Sequence, residues 1–538
     1  MTLRLVESLI IFLVLAEAAP AVSAEKMRGL VYGEAGRVEA YDPYTAHESA
    51  VQRMSDLMFD SLVEVSPAGE YVPRLASSWE IARSGAEVVF TLRPDVTWHP
   101  ESASGTKERL VVFSAEDVVA TVGLLTSSGS DIPNRERFSA IAGAEAQGAS
   151  KVIVRLSRAM TDPLRALMFK VLPRHKLGSN PVLKRGAPFT KHPIGTGPYV
   201  FDKSTPQGEV RLIANTSYFA GVPRIPTILL KGFTDQTIMA QSLMFNSIDM
   251  VTYVSPRDLG EILGDRRLTV MPYDALSFSF FAMNAGRGPL RDKRVRQAIA
   301  AAINRKEMLQ AFFQGRGRLI SGPFPPTSWA YNLDVPDVAF DLKRAVDLFR
   351  AAGLGDKNGD GILEDASGKP LVLNFAVPLA GESEIIKRIV LAFQTYLLNA
   401  GVKVELQFMD WLVWKKKVLA ERDYDLTLAS WSFDDASNIT SLFHSSSAVP
   451  WGNNFVNFRD KQVDSLLTEA DATNDFEKRR AIYQKLHVVL ADETPYVFLW
   501  TLMHHAAHNS RVSGVRIEPF GFFKYVSTWG LNAGEVAK

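Results

Sequence analysis

Trp431, Phe433, Asp434, Asp435, Ser437 and Asn438 put aromatic, acidic and amide side chains within eight positions. They follow a segment in which Tyr424, Leu426, Leu428 and Ser430 alternate with Asp425, Thr427, Ala429 and Trp431, which is strand spacing. A strand that ends in aromatics and a carboxylate can hold a cationic, partly apolar ligand, with ring area for affinity and the carboxylate for orientation. Hydrolysis is a poorer fit. Asp434 and Asp435 are neighbours and would point to opposite faces of an extended strand, whereas a glycosidase needs two carboxyls on one bond.

Other constellations fall short of the spacing that their chemistry requires. Gly195 and Gly197 suggest a phosphate loop, but Pro198 and Tyr199 stand where a helix should open; a tight turn entering a strand accounts better for them. Asp356-Lys-Asn-Gly-Asp-Gly361 matches the front of a calcium loop, yet its twelfth position is Ser367 instead of a bidentate glutamate, so a glycine-rich surface turn is expected. His504 and His508 have the spacing of a helical metal pair, but Tyr496 to Met503 reads as a strand, on which the two would lie about 13 Å apart. The chain has no Gly-x-Ser-x-Gly elbow and no His-Glu-x-x-His. The expectation is a binding protein without catalytic residues, cofactor or metal.

The totals set the frame for those residues. A chain of 538 residues, 46% apolar and 22% charged, is long enough for several domains and too apolar for disorder. A net charge of +1 gives no footprint for a nucleic acid. Residues 1–24 read as a secretory signal, with Arg4 ahead of the apolar run Leu9 to Leu15 and small residues to Ala24. Cysteine is absent, so disulfides, thiolate metal sites and a lipidated cysteine are excluded. A soluble periplasmic location is expected, without a lipid anchor.

The elements that must position the opening stretch are legible in order. Gly29 to Tyr32 is a strand, and Glu48 to Leu62 has helical spacing. Ser114 and Asp117 form a capping pattern before Val118, and Asp341 caps a helix that ends at Gly353. Arg291, Lys293, Arg294 and Arg296 begin another helix and read as a solvated basic face. Leu371 to Ala376, the helix 383–400 and Val402 to Phe408 make a strand–helix–strand unit, and Asp410 can cap a helix from Trp411 to Glu421. The strand ending at Trp431 comes next, so its end should open on a crevice of an α/β sheet.

Several segments resemble the periplasmic solute-binding proteins of family 5, the peptide-, dipeptide- and oligopeptide-binding components of ABC transporters. They are Tyr41-Asp-Pro43, Leu75-Ala-Ser-Ser-Trp79 with Phe90-Thr-Leu-Arg93, Ser114 to Val118, Pro193-Ile-Gly-Thr-Gly-Pro-Tyr199, Leu290 to Ile299 with Ile303-Asn-Arg305, and Asp423 to Trp431. The chain departs from the pattern at Trp98-His-Pro-Glu101, and at Trp431 to Asn438, which lacks the family's tyrosine and proline after the aspartate.

The resemblance implies an α/β fold of the two-lobe, type II, three-domain kind with a ligand cleft between lobes. Lobe I would comprise 25–66, 196–275 and 505–538, domain II 67–195, and lobe III 276–504. It implies a receptor that delivers a peptide or peptide-like ligand to an ABC permease, monomeric, with no nucleic acid partner. The alternatives are a sugar, opine, metal chelate or other cationic solute, or a secreted hydrolase. Asp434 would pair with the ligand amine, beside Trp431 and Phe433, while His47, Glu48 and Ser49 would face the ligand from lobe I.

Overall fold

Twelve of the alternating segments assemble into one sheet. The computed structural model describes residues 29–532 apart from 37, 39, 46–48, 67–68, 102–109, 134, 161, 179–181, 276, 380–382, 433–438, 474 and 519–520. The strands are β1 (Leu30–Ala35), β2 (Tyr199–Ser204), β3 (Val210–Ala214), β4 (Thr227–Phe233), β5 (Met250–Val251) and β6 (Leu268–Asp274). They continue as β7 (Ser277–Met283), β8 (Gly317–Leu319), β9 (Val372–Leu379), β10 (Lys403–Asp410), β11 (Leu426–Ser432) and β12 (Tyr496–Asn509). Their order is β10-β9-β11-β7-β12-β5-β1-β4-β3-β2, and β6 and β8 also pair with β12.

β12 is the element common to both halves. Its first residues pair with β7 and β8, and Met503–Asn509 pair with β6. Near its end, Ala507 and His508 pair with β5. The expected strand–helix–strand unit is present: β9 and β10 run parallel around helix α2 (Ser383–Asn399), and β11 lies parallel on the other side of β9.

Side-chain alternation along β7 builds two cores. Phe281 and Met283 fall in a cluster with Phe375, Phe393 and Leu426, whereas Phe278, Phe280 and Ala282 fall in another with Tyr424, Phe443 and Leu486. The two faces of a strand necessarily feed opposite sides of its sheet. A third core joins Leu30, Tyr32 and Met54 to Val88, Phe90 and Leu125, and to Phe523 and Trp529 near the end of the chain. The opposite face of β1 supplies Val31 to a small cluster with Met239, Leu243 and Ile262. A separate antiparallel sheet of four strands, Ala76–Ile81, Glu87–Leu92, Lys151–Leu156 and Ile141–Ala146, contributes Val88, Phe90, Val152 and Val154 to the same core as β1. Among the described residues, no helix is long and apolar enough to cross a membrane.

Local chemistry sets the helix starts. Asp117 Oδ2 accepts the Ser114 N–H at 2.9 Å, Asp341 Oδ1 accepts the Arg344 N–H at 2.8 Å, and Asp410 accepts from Leu412 and Val413. Each satisfies N–H groups that a helix leaves without intrahelical partners. The basic helix start is solvated only in part. Lys293 and Arg294 are exposed and pair with Asp492 and Asp292. Arg296 is buried at 3% exposure, and its guanidinium donates to the carbonyls of Glu493, Thr494 and Leu290. Five fixed donors allow Arg to close a helix end in this way where Lys could not.

The Gly195–Gly197 segment is a backbone junction, as the turn reading expected. The Gly197 N–H donates to the Met58 carbonyl at 2.9 Å, and a Cβ at Gly195 would stand 1.8 Å from that oxygen. His99 fixes the segment from the other side. Its Nδ1 accepts the Gly195 N–H at 3.1 Å and its Nε2 lies 2.9 Å from the Gly197 carbonyl. Gly195→Ala is expected to cost about 3 kcal/mol, because backbone cannot yield as a side chain would. Urea unfolding measures it, and a midpoint equal to that of the parent would refute the close approach.

Candidate functional site

Helix α1 (Ser49–Met58) turns one face inward and leaves the other to a cavity. Val51, Met54, Leu57 and Met58 are buried. Gln52 and Asp56, four positions apart and so on one face, line a cavity of about 690 Å³. That volume lies within the range that holds small ligands. Three groups of residues wall it: Asp56 to Ser66 with Arg74, Lys170, Pro198 and Tyr218; Glu518 with Gly521 to Thr528; and the loop Pro325 to Trp329. The first two belong with the core of β1, while α3 (Phe476–Glu493), against which the loop packs through Trp329, belongs with the core of Phe278 and Phe280.

The walls are ionic. Arg74, Lys170 and Lys524 stand among Asp56, Asp60, Glu64 and Glu518. Asp60 is the anchor, at 3% exposure. It accepts from Arg74 Nη2 at 2.7 Å, the Tyr218 hydroxyl at 3.1 Å and the Thr196 hydroxyl at 3.0 Å. Arg74 also lies 3.3 Å from Glu64. Lys170 pairs with Asp56 at 2.9 Å, and Lys524 bridges Glu64 at 3.1 Å and Glu518 at 3.5 Å. Burial opposes the charge on Lys170, but Asp56, with Asp60 and Glu64, outweighs it and raises the ammonium above its ordinary pKa. Burial likewise opposes charge on Arg74, and Asp60, Tyr218 and Glu64 overcome it.

The third wall is held by a buried histidine. His487 on α3 is fully buried, its Nδ1 accepts the Asn332 N–H at 3.0 Å, and its Nε2 lies 3.1 Å from the Ser321 hydroxyl. Both ends of the Pro325–Trp329 loop are therefore tied to one imidazole. Trp329 itself packs on Phe476 and Tyr483, with centroids 5.2 and 5.3 Å apart.

Of the residues read from the sequence, Trp431 is at the end of β11 as expected. Its ring lies among Phe280, at 6.4 Å, and Phe455, at 5.8 Å, and its Nε1 donates to the Tyr496 hydroxyl at 3.3 Å. It is not among the residues that line the cavity. Phe433, Asp434, His47 and Glu48 lie outside the described residues; Ser49 opens α1, and its side chain is outside them too. His504 and His508 stand on β12, as the strand reading expected. The rings of Tyr253 and Tyr273 flank His504, and His508 Nδ1 lies 2.9 Å from the Asn509 carbonyl.

Asp356, Asp360 and Glu364 bring ligand atoms within 4.8 Å of one another. Their carboxylates accept the N–H groups of Gly359, Ile362 and Lys357, in a turn whose Gly359 and Gly361 have φ of +81° and +85°.

Sequence reading missed Asp60, Arg74, Trp329 and Lys524. Arg74 immediately precedes the quoted Leu75-Ala-Ser-Ser-Trp79 motif, and that adjacency was the available signal.

The family description "Bacterial extracellular solute-binding proteins, family 5 Middle" matches residues 70–453. The chain belongs to this family. Among its relatives, Di/tripeptide-binding protein 4 of Pseudomonas aeruginosa is 28% identical, with 96% of this chain and 97% of the relative covered. Heme-binding protein A of Haemophilus influenzae is 26% identical, over 87% and 86%. The solved structure of HbpA2 from Haemophilus parasuis covers 94% of this chain and 99% of its own, at 21% identity and a TM-score of 0.82. The fold of this family-5 protein is therefore the mixed α/β, two-lobe fold of such binding proteins.

Proposed function

We propose that this family-5 protein is the extracytoplasmic, periplasmic solute receptor of an ABC importer, and that it binds a peptide or peptide-like ligand between its lobes and presents it to the permease. The carrying observation is a cavity of about 690 Å³ whose walls interleave three cations with four carboxylates. A zwitterion offers one charge to each kind of wall, and charge-assisted hydrogen bonds contribute about 1.5–3 kcal/mol each. Binding, closure and release require no covalent step, and the receptor would act as a monomer.

In this reading lobe I comprises 25–66, 196–275 and 505–538, domain II is 67–195 and lobe III is 276–504. Asp434 pairs with the ligand amine, with Trp431 and Phe433 beside it, and His47, Glu48 and Ser49 face it from lobe I. The ligand would thus extend from the cavity, which Trp431 does not line, toward the end of β11. The name of heme-binding protein A favours a second reading, a large non-peptide ligand, for which Trp329, Tyr218 and Tyr525 give aromatic wall area.

Native mass spectrometry of the purified protein, followed by calorimetry with trialanine, tests the first reading. A bound mass that matches heme would favour the second. Asp434→Asn is expected to weaken peptide binding at least tenfold, about 1.4 kcal/mol. Unchanged affinity in calorimetry would remove Asp434 from the amine role.

A further inference from the structure

The core of β1 and the core that holds α3 meet at a second place, beside the cavity. Arg479 on α3 donates from Nη1 to Asp162 Oδ2 at 2.7 Å, and Asp162 Oδ1 accepts the Tyr71 hydroxyl at 2.8 Å. Asp162 follows the strand Lys151–Leu156 of the four-stranded sheet, and Tyr71 precedes the strand Ala76–Ile81 of the same sheet. The ion pair is partly shielded, with side chains 14% and 24% exposed. The Arg479 guanidinium also lies over the Trp329 ring at 5.7 Å, a cation–π geometry. Trp329 in turn closes on Gly69, where an added Cβ would stand 2.6 Å from the indole and 3.0 Å from Phe476.

An ion pair, a cation–π contact and the seating of Trp329 against Gly69 thus cross between the two cores. Contacts of this kind stabilise only those arrangements in which the two bodies stand as close as they do here.

We propose that the four-stranded-sheet body is the keeper of a latch, with Asp162 and Gly69 receiving Arg479 and Trp329 of the other body, and that this latch limits how far the cleft opens. The proposal does not depend on which solute the cavity takes. Helix α3 is its rigid arm: Phe476, Arg479, Tyr483 and His487 place the ion pair, the indole and the loop behind it on one helix.

The chain has no cysteine, so spin labels on Glu80→Cys and Lys485→Cys, both exposed positions, would report the separation without background. In ligand-free protein, Asp162→Asn and Arg479→Gln should each move the mean electron–electron distance outward by more than the width of the parent's distribution. The exchanged pair Asp162→Arg with Arg479→Asp should move it back toward the parent. Trp329→Leu, which removes the ring from Arg479 and disturbs no charge, should shift it outward too. Distributions that superimpose on the parent's in both single ion-pair variants would overturn the latch.

Discussion

Asp60→Ala should destabilise the protein by about 2–3 kcal/mol, the cost of leaving the buried donors of a shared carboxylate unsatisfied. The carboxylate is the shared acceptor for Arg74, Tyr218 and Thr196. Its loss leaves the buried Thr196 and Tyr218 hydroxyls without their acceptor, while the Arg74 guanidinium, 26% exposed, keeps Glu64. Asp60→Asn keeps one acceptor oxygen and should lose less. Because Asp60 is part of the cavity wall, solute binding should fall with stability in the alanine variant. Equilibrium urea unfolding of the two variants is the measurement; a loss below about 1 kcal/mol for alanine, the net worth of one ordinary hydrogen bond, would show that Asp60 is not the anchor.

The second large effect is expected in mild acid. Burial lowers His99 and His487 from 6.5 to about 4. In each ring Nδ1 accepts a backbone N–H, from Gly195 and from Asn332 respectively. Nε2 therefore carries the proton, and a second proton on Nδ1 would break that bond. The folded pKa lies below the unfolded one, so the unfolded chain takes up protons first as pH falls. The stabilisation is complete above pH 6.5 and is lost as pH drops through the interval to about 4, by on the order of 3 kcal/mol for each ring. His487→Gln should flatten the dependence of unfolding free energy on pH in that window. Parallel curves for variant and parent between pH 6.5 and 4 would show that His487 does not titrate on unfolding.

These two predictions also mark where sequence reading reaches and where it stops. Asp117, Asp341 and Asp410 were legible as helix caps because each acts on N–H groups two or three residues away. Alternation placed β9, β10 and β11, and it kept His504 and His508 off a helix. The cavity was not legible, because Asp60, Trp329 and Lys524 meet only through tertiary packing and none stands in a local pattern. Arg296 was misread for a related reason: its neighbours in sequence are solvated, and its partners, the carbonyls at Glu493 and Thr494, lie about two hundred positions away. His99 and His487 carry no local signature at all, since each is defined by backbone it meets from a distant segment.

The late position of β12 has a consequence for how the chain comes to be folded. β6, β7 and β8 all take a partner from it, and Arg511 returns to the Gly29 carbonyl 482 positions upstream. A growing or translocating chain that has not yet released residue 509 therefore has four strand edges, that of β5 included, without their neighbour. Contacts so distant in sequence slow folding, and open edges invite pairing with other chains. Until residues 496–509 emerge, the chain remains a client for anything that holds unfolded polypeptides, and a deletion near residue 500 would be felt at residue 30.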